Sequence, residues 1–166
     1  MLANHETIRS RKITVVGVDY DKHYVERCKA LINSKKLAGL VTVHHASIYD
    51  FTSEAKFDAA YFSGSLMIMP DPAAALRHVS TMLRKSPPGV IYTAQTYEGK
   101  ANFLLELVKP LMKFITTIDF GQVTYREAFE SMLRRARFSI LSDVSLGPPR
   151  VKGHREIRLL KLRHSE

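Results

Sequence analysis

With 166 residues, 45% of them apolar, the chain can enclose one ordinary hydrophobic core, and a second domain of normal size has no room. A single cysteine, Cys28, excludes an internal disulfide framework and any zinc site built on several thiolates; the polar stretch 1–11 does not read as a leader, and no apolar run reaches the ~18 residues of a membrane span. The formal charge of +9 (pI about 9.8) would suit an acidic partner, but Arg134, Arg135 and Arg137 fall where a helix ends and its dipole favours cations, and no aromatic residues interleave with the basic ones as a nucleic-acid platform requires. A soluble, cytoplasmic chain is expected, with nucleic acid a disfavoured partner.

The run Lys12-Ile13-Thr14-Val15-Val16-Gly17-Val18-Asp19 predicts a strand closed by an acid. Behind it Tyr24, Cys28 and Leu31, flanked by Val25 and Ile32, recur at helical spacing; the helix should end between Asn33 and Gly39, with Cys28 a buried thiol on its face. Leu40 to His44 predicts a short strand. His44 and His45 are neighbours on it and point to opposite faces, so they cannot chelate one metal ion, and no metal site is expected. The stretches 57–63 and 90–96 are nearly continuous in apolar residues and predict strands of a parallel sheet, buried on both faces.

Between those strands Asp71 can cap, and Pro72 open, a helix with Leu76, Val79 and Leu83 on one face and His78 exposed, stopped by Ser86-Pro87-Pro88-Gly89. From 101 to 115, Phe103, Leu104, Leu107, Val108 and Leu111 cover a broad helical arc that Pro110 should kink. Thr124 and Glu127 make a capping box for a helix whose face carries Ala128, Phe129, Met132, Leu133 and Ala136. Finally, 138–146 and 156–163 predict two strands joined by a Gly- and Pro-containing segment. No internal boundary is visible, so residues 1–166 are expected to form a single domain. On these residues alone Asp19 also reads as a helix cap, Ser47 as the cap of a following helix, Phe62 as core and Gly64 as a turn.

Taken in order, the acid-ended strand VVGVDY, the strand and turn VTVHHASIYDF, the strand FDAAYFSGSLMIMPD, a helix, SPPGVIYTAQT, another helix and the closing hairpin resemble the class I S-adenosylmethionine-dependent methyltransferases, from about Lys12 to Arg163. The resemblance implies an α/β, Rossmann-like sheet, mostly parallel with a carboxyl-terminal antiparallel hairpin, in the strand order three, two, one, four, five, seven, six. It implies S-adenosylmethionine as cofactor, with Asp19 accepting from both ribose hydroxyls and Tyr20 against the adenine. Ser47 falls where many members carry an aspartate that reads the adenine amino group, with Asp50 a displaced substitute nearby, and Ile48 supplies an apolar wall. Phe62, Ser63 and Gly64 would line the floor beneath the cofactor and face the substrate; Gln95 and Tyr97 are substrate candidates. The segment 112–125 lies where the family often builds its substrate lid.

One departure is large: no glycine precedes Gly17, so the family's first strand and glycine-rich loop have no counterpart, and residues 1–11 read as the tail of the first helix. Omitting a central strand would leave two edges about 9.6 Å apart, with unpaired amides that are costly to bury. The expectation is therefore an amino-terminally truncated domain, a piece of a longer methyltransferase whose full form could carry a membrane anchor. The implied activity is methyl transfer to a small-molecule or lipid-like acceptor, the apolar arc at 101–115 favouring an apolar one. The alternative is a non-catalytic, basic interaction module for RNA or protein. A nicotinamide-dependent dehydrogenase also places an acid like Asp19 on a ribose, but the closing hairpin and the lack of a Tyr/Lys or His/Asp catalytic pair oppose it.

Overall fold

In the computed structural model, which describes residues 4–97, 125–147 and 156–165, the chain divides into two units, 1–52 and 53–166. The first runs α1 (His5–Ser10), β1 (Val15–Asp19), α2 (Lys22–Ser34) and β2 (Val41–His45). β1 and β2 pair in parallel, Val15 opposite Val41 through Asp19 opposite His45. A parallel pair needs a long crossover, and α2 provides it.

Ile8, Ile32, Leu37 and Val41 form the core of this unit, with Val15, Cys28, Leu40 and Val43 packed around them. On α2 the buried residues are Val25 and Ile32. The expected face was turned too far: Tyr24 and Leu31 are exposed and Cys28 is half-buried rather than buried, because Val25 and Ile32 are seven positions apart on one stripe while Tyr24 and Leu31 each lie about 100° away. The helix ends where the sequence predicts. Lys36 takes a left-handed conformation (φ 52°), and the Leu37 N–H donates to the Ile32 carbonyl at 2.9 Å, closing the last turn while Leu37 and Ile32 both enter the core.

The second unit holds β3 (Ala59–Ser63), a 3₁₀ turn (Ser65–Ile68), α3 (Pro72–Thr81), β4 (Val90–Tyr97), α4 (Arg126–Arg135), β5 (Phe138–Ser145) and β6 (Glu156–His164). Its sheet has the order β3-β4-β6-β5. β3 and β4 are parallel; β4 with β6, and β5 with β6, are antiparallel, with a bulge at Leu141. The mostly parallel sheet with a closing hairpin is thus present. Strands two and three of the expected order correspond to β1 and β2, and four, five, seven and six to β3, β4, β6 and β5.

The two-faced burial expected for β3 and β4 is not found. Along β4, Ile91, Thr93, Gln95 and Tyr97 are buried and the residues between them half-buried; along β3, Phe62 is buried while Tyr61 and Ser63 are exposed. Leu160 and Leu162 of β6 stand opposite Thr93 and Ile91 and complete this core. The sheet buries one face, so the strict alternation of a half-buried strand replaces the continuous pattern.

The Asp71 carboxylate accepts from the Ala74 N–H at 2.8 Å with Pro72 in the first turn, as the sequence predicts. Leu83 lies two residues past the helix, in a bridge with Phe57. α4 starts at Arg126 with Tyr125 at the cap position and no side-chain cap; Thr124, the first member of the expected capping box, lies outside the described residues. Phe129, Leu133 and Ala136 are buried, while Ala128 is exposed. The arc at 101–115 also lies outside the described residues.

At the entry to β4 the chain folds tightly on itself. Gly89 donates to the Arg84 carbonyl at 2.9 Å, and a Cβ at position 89 would meet Leu83 Cβ at 2.9 Å and the carbonyl oxygens of Phe57 and Asp58 at 3.1 Å. None of these atoms is the far end of a flexible side chain. Gly89→Ala is expected to destabilise the chain by about 1–3 kcal/mol through overpacking, measured by denaturant unfolding.

Candidate functional site

The parallel register of β1 and β2 brings their carboxyl ends to one edge, so the turn 19–21 and the turn after His45 lie side by side. Asp19 is half-buried, and its Oδ1 accepts from the Asp21 N–H at 2.9 Å, an Asx-type turn. Its Oδ2 has no partner among the described residues. The cap of α2 is Asp21, whose Oδ1 accepts from the N–H groups of His23 at 2.8 Å and Tyr24 at 3.3 Å. The helix therefore makes no demand on Asp19.

Tyr20 projects at this edge with 71% of its surface exposed. Two contacts from the neighbouring strand hold its backbone: Ala46 N–H donates to the Asp19 carbonyl at 3.0 Å, and His45 Nε2 lies 2.9 Å from the Tyr20 carbonyl. His44 takes a different partner, its ring 5.3 Å from that of Phe51. Ser47 and Ile48, both half-buried, follow immediately. No helix begins at Ser47. Its carbonyl accepts from Asp50 and Phe51, and its hydroxyl oxygen accepts from the Tyr49 N–H at 3.2 Å, which closes a turn. Asp50 is exposed beside it. The Ile48 N–H has no partner among the described residues.

In the second unit, Phe62, Ser63 and Gly64 end β3, but only two of them are presented. Phe62 is 6% exposed and belongs to the core, because alternation sends it to the buried face of the sheet. Ser63 is exposed, and Gly64 turns the chain out of the strand at φ 72°, a conformation that favours glycine, with its N–H donating to the Ala94 carbonyl at 3.0 Å.

Gln95 and Tyr97 cannot act as exposed substrate groups in this structure. Both lie within β4, which extends through Tyr97, and they are 1% and 4% exposed. The Tyr97 ring meets Phe129 edge-on at 5.9 Å. Around them a network of charges ties α4 to the hairpin: Arg126 to Glu130 at 2.8 Å and to Asp143 at 2.7 Å, and Arg158 to Asp143 at 2.7 Å and to Glu156 at 2.5 Å. The hydrogen bonds that Arg158 donates to Asp143 and then to Glu156 push its pKa up. Burial, then the Asp143 charge, pushes the Tyr97 hydroxyl well above the usual tyrosine value of 10.0. His78 is half-buried on α3.

Two contributors at the first edge were missed in reading the sequence, Asp21 and His45. Asp21 was legible, since an N-cap must immediately precede the helix it caps. His45 becomes visible only once β2 is set in parallel register with β1.

Over residues 3–91 the chain matches the family described as methyltransferase domain. Its fold is similar to the [4+2]-cyclase SpnF (TM-score 0.72, 16% identity, covering 96% of this chain and 68% of that one) and to MccD protein (TM-score 0.75, 12% identity, 98% and 85%). It is also similar to geranyl diphosphate C-methyltransferase from Streptomyces coelicolor A3(2), solved with Mg2+, geranyl diphosphate and S-adenosyl-L-homocysteine (TM-score 0.71, 11% identity, 96% and 66%). At such identities the likeness is one of fold, and a cyclase among the three means that fold alone does not fix the reaction. Among the described residues no helix is long and apolar enough to cross a membrane.

Removing the α2 cap with Asp21→Ala should cost about 1 kcal/mol, read from denaturant unfolding. Because the folded state keeps Tyr97 neutral above the pKa at which an unfolded tyrosine ionises, the unfolded state binds fewer protons there, and Tyr97 makes stability fall as pH rises above about 10. Tyr97→Phe should flatten that fall, as followed by thermal melts across the alkaline range.

Proposed function

The chain belongs to the methyltransferase domain family of class I, S-adenosylmethionine-dependent enzymes, and from that membership we propose that it binds S-adenosylmethionine for methyl transfer to a small-molecule or lipid-like acceptor. The observation that carries the reading is Asp19: a half-buried carboxylate at the carboxyl end of β1, with Oδ1 spent on its own turn and Oδ2 unspent. A carboxylate oxygen accepts more than one hydrogen bond, so Oδ2 together with the second lone pair of Oδ1 suits a pair of ribose hydroxyls. Tyr20 offers an exposed ring for the adenine face. Beside them the Ile48 N–H can donate to a ring nitrogen. The Ser47 hydroxyl, already accepting from Tyr49, retains a proton to donate, so it suits an acceptor on the base better than the amino group an aspartate would read. Ser63, the exposed end of β3, and Gly64, the half-buried turn residue after it, are assigned separately to the substrate side. We treat 1–166 as one domain because the family match over 3–91 runs across the division between the two units.

When bound, the cofactor supplies a methyl group on a positively charged sulfur, open to in-line displacement by an O, N, S or C nucleophile. The protein's share of such a step is to align and desolvate, where correct geometry contributes ~7–11 kcal/mol. No triad is required of the sequence. The acceptor class rests on the apolar arc at 101–115 of the sequence.

Calorimetric titration with S-adenosylmethionine tests the reading. Saturable binding is expected for the wild type, weakened on the order of tenfold or more in Asp19→Ala, as for the loss of a charged hydrogen-bond acceptor. A folded wild-type chain that shows no binding overturns it. Steeply salt-dependent RNA binding in that case would turn the reading to the basic interaction module.

A further inference from the structure

Resting on the cofactor reading above, we infer that His45 is a positioning residue for the nucleoside, acting through the Tyr20 carbonyl rather than by touching the ligand. The turn 19–21 decides where both proposed nucleoside contacts point, since the Asp19 carboxylate and the Tyr20 ring hang from adjacent residues. Three hydrogen bonds fix it. Two involve backbone N–H groups: Ala46 to the Asp19 carbonyl at 3.0 Å, an extension of the β1–β2 ladder, and Asp21 to Asp19 Oδ1 at 2.9 Å. The third, His45 Nε2 to the Tyr20 carbonyl at 2.9 Å, is the only one donated by a side chain. Unlike the Asp19 carboxylate, which is itself a proposed ligand group, it can be removed by substitution without deleting a ligand contact, and the His45 side chain is exposed and lies outside the core of its unit.

A carbonyl oxygen only accepts, so the imidazole must carry its proton on Nε2. The His45 ring then spans from β2 to the first residue after β1, one step beyond its register partner Asp19. Without it, rotation of the Tyr20–Asp21 peptide would be checked only by the Asp19 carboxylate, the group that the ligand also needs. His45 thus relieves Asp19 of part of its structural duty and keeps the Tyr20 ring at the edge. This is a different role from chelation or proton transfer.

The geometry predicts which replacement rescues. The amide nitrogen of glutamine reaches about as far from the backbone as Nε2 of histidine and can donate, whereas leucine fills similar space and cannot. Wild type, His45→Gln and His45→Leu are compared in two measurements. The first is calorimetric titration with S-adenosyl-L-homocysteine, with thermal melts as the control for folding. The second, without ligand, is the rate of limited chymotrypsin cleavage after the exposed Tyr20. Expected are equal melting midpoints, binding weakened on the order of fivefold in His45→Leu, as for one lost hydrogen bond, and restored in His45→Gln. Cleavage after Tyr20 should be several-fold faster in His45→Leu alone.

Equal cleavage rates in all three proteins would overturn the clamp, whatever the binding data show. Equal binding losses in the glutamine and leucine variants would overturn the role of the donated hydrogen bond. A wild-type chain that binds no S-adenosyl-L-homocysteine, yet shows the expected cleavage pattern, would overturn the cofactor reading and with it the positioning role, while leaving the clamp as a structural contact.

Discussion

Parallel pairing of consecutive strands is the constraint from which the rest follows. A parallel neighbour cannot be reached by a tight turn, so the chain must cross over through a helix and return to the same starting edge. α2 does this between β1 and β2, and α3 between β3 and β4. Each crossover sends the chain out of its sheet at the carboxyl end of a strand. The candidate site residues accumulate there: Asp19, Tyr20, Asp21 and Ser47 in the first unit, Ser63 and Gly64 in the second. The strand residues given a role, Asp19, His45 and Ser63, are each the last of their strand.

The turn after β1 shows how two carboxylates of identical chemistry divide their duties by position alone. The N-cap of a helix that starts at Lys22 must be residue 21, because only from there does a side-chain oxygen reach the second and third helical N–H groups. Asp21 is consumed by that demand. Asp19, two residues earlier, is still paired by β1 to β2 and can reach only the Asp21 N–H, which takes one lone pair and leaves an oxygen unspent. The cap reading of Asp19 and its ligand reading were therefore never equal competitors. The start of the helix decides between them.

Much of the architecture was legible because it is written locally. The acid-ended strand, the Asp71-Pro72 helix start and the Lys36 region that ends α2 all depend on residues within a few positions of one another. What was not legible depends on partners far away in sequence. A continuous apolar run such as 57–63 cannot say whether one or both faces are covered, so Phe62 and Tyr61 read alike although one is core and the other 61% exposed. In the sequence Gln95 sits near the carboxyl end of an apolar strand and Tyr97 just past it, where side chains often face a substrate. β6 lies antiparallel to β4 up to the Tyr97–Glu156 pair, which extends the strand and draws both side chains inward. His45 is silent until its register with Asp19 is known.

The same dependence on geometry bears on the chemistry. A methyl group on a sulfonium is already activated, so the protein need not supply a nucleophile or a strong base, and sequence motifs of the kind that betray a hydrolase have no reason to exist. What the protein must supply is a fixed direction of approach, and a direction is set by backbone anchors. In the turn 19–21 those anchors are one ladder hydrogen bond, one Asx-type contact and one imidazole. Only Asp19 among them also serves as a proposed ligand group, so the others can vary in identity while preserving geometry. At position 45 any side chain that reaches the Tyr20 carbonyl and donates to it would do. A site of this kind tolerates sequence change in its supports far better than a catalytic triad does, which is why it is found by placing carboxyl-end turns in a fold rather than by matching a string of residues.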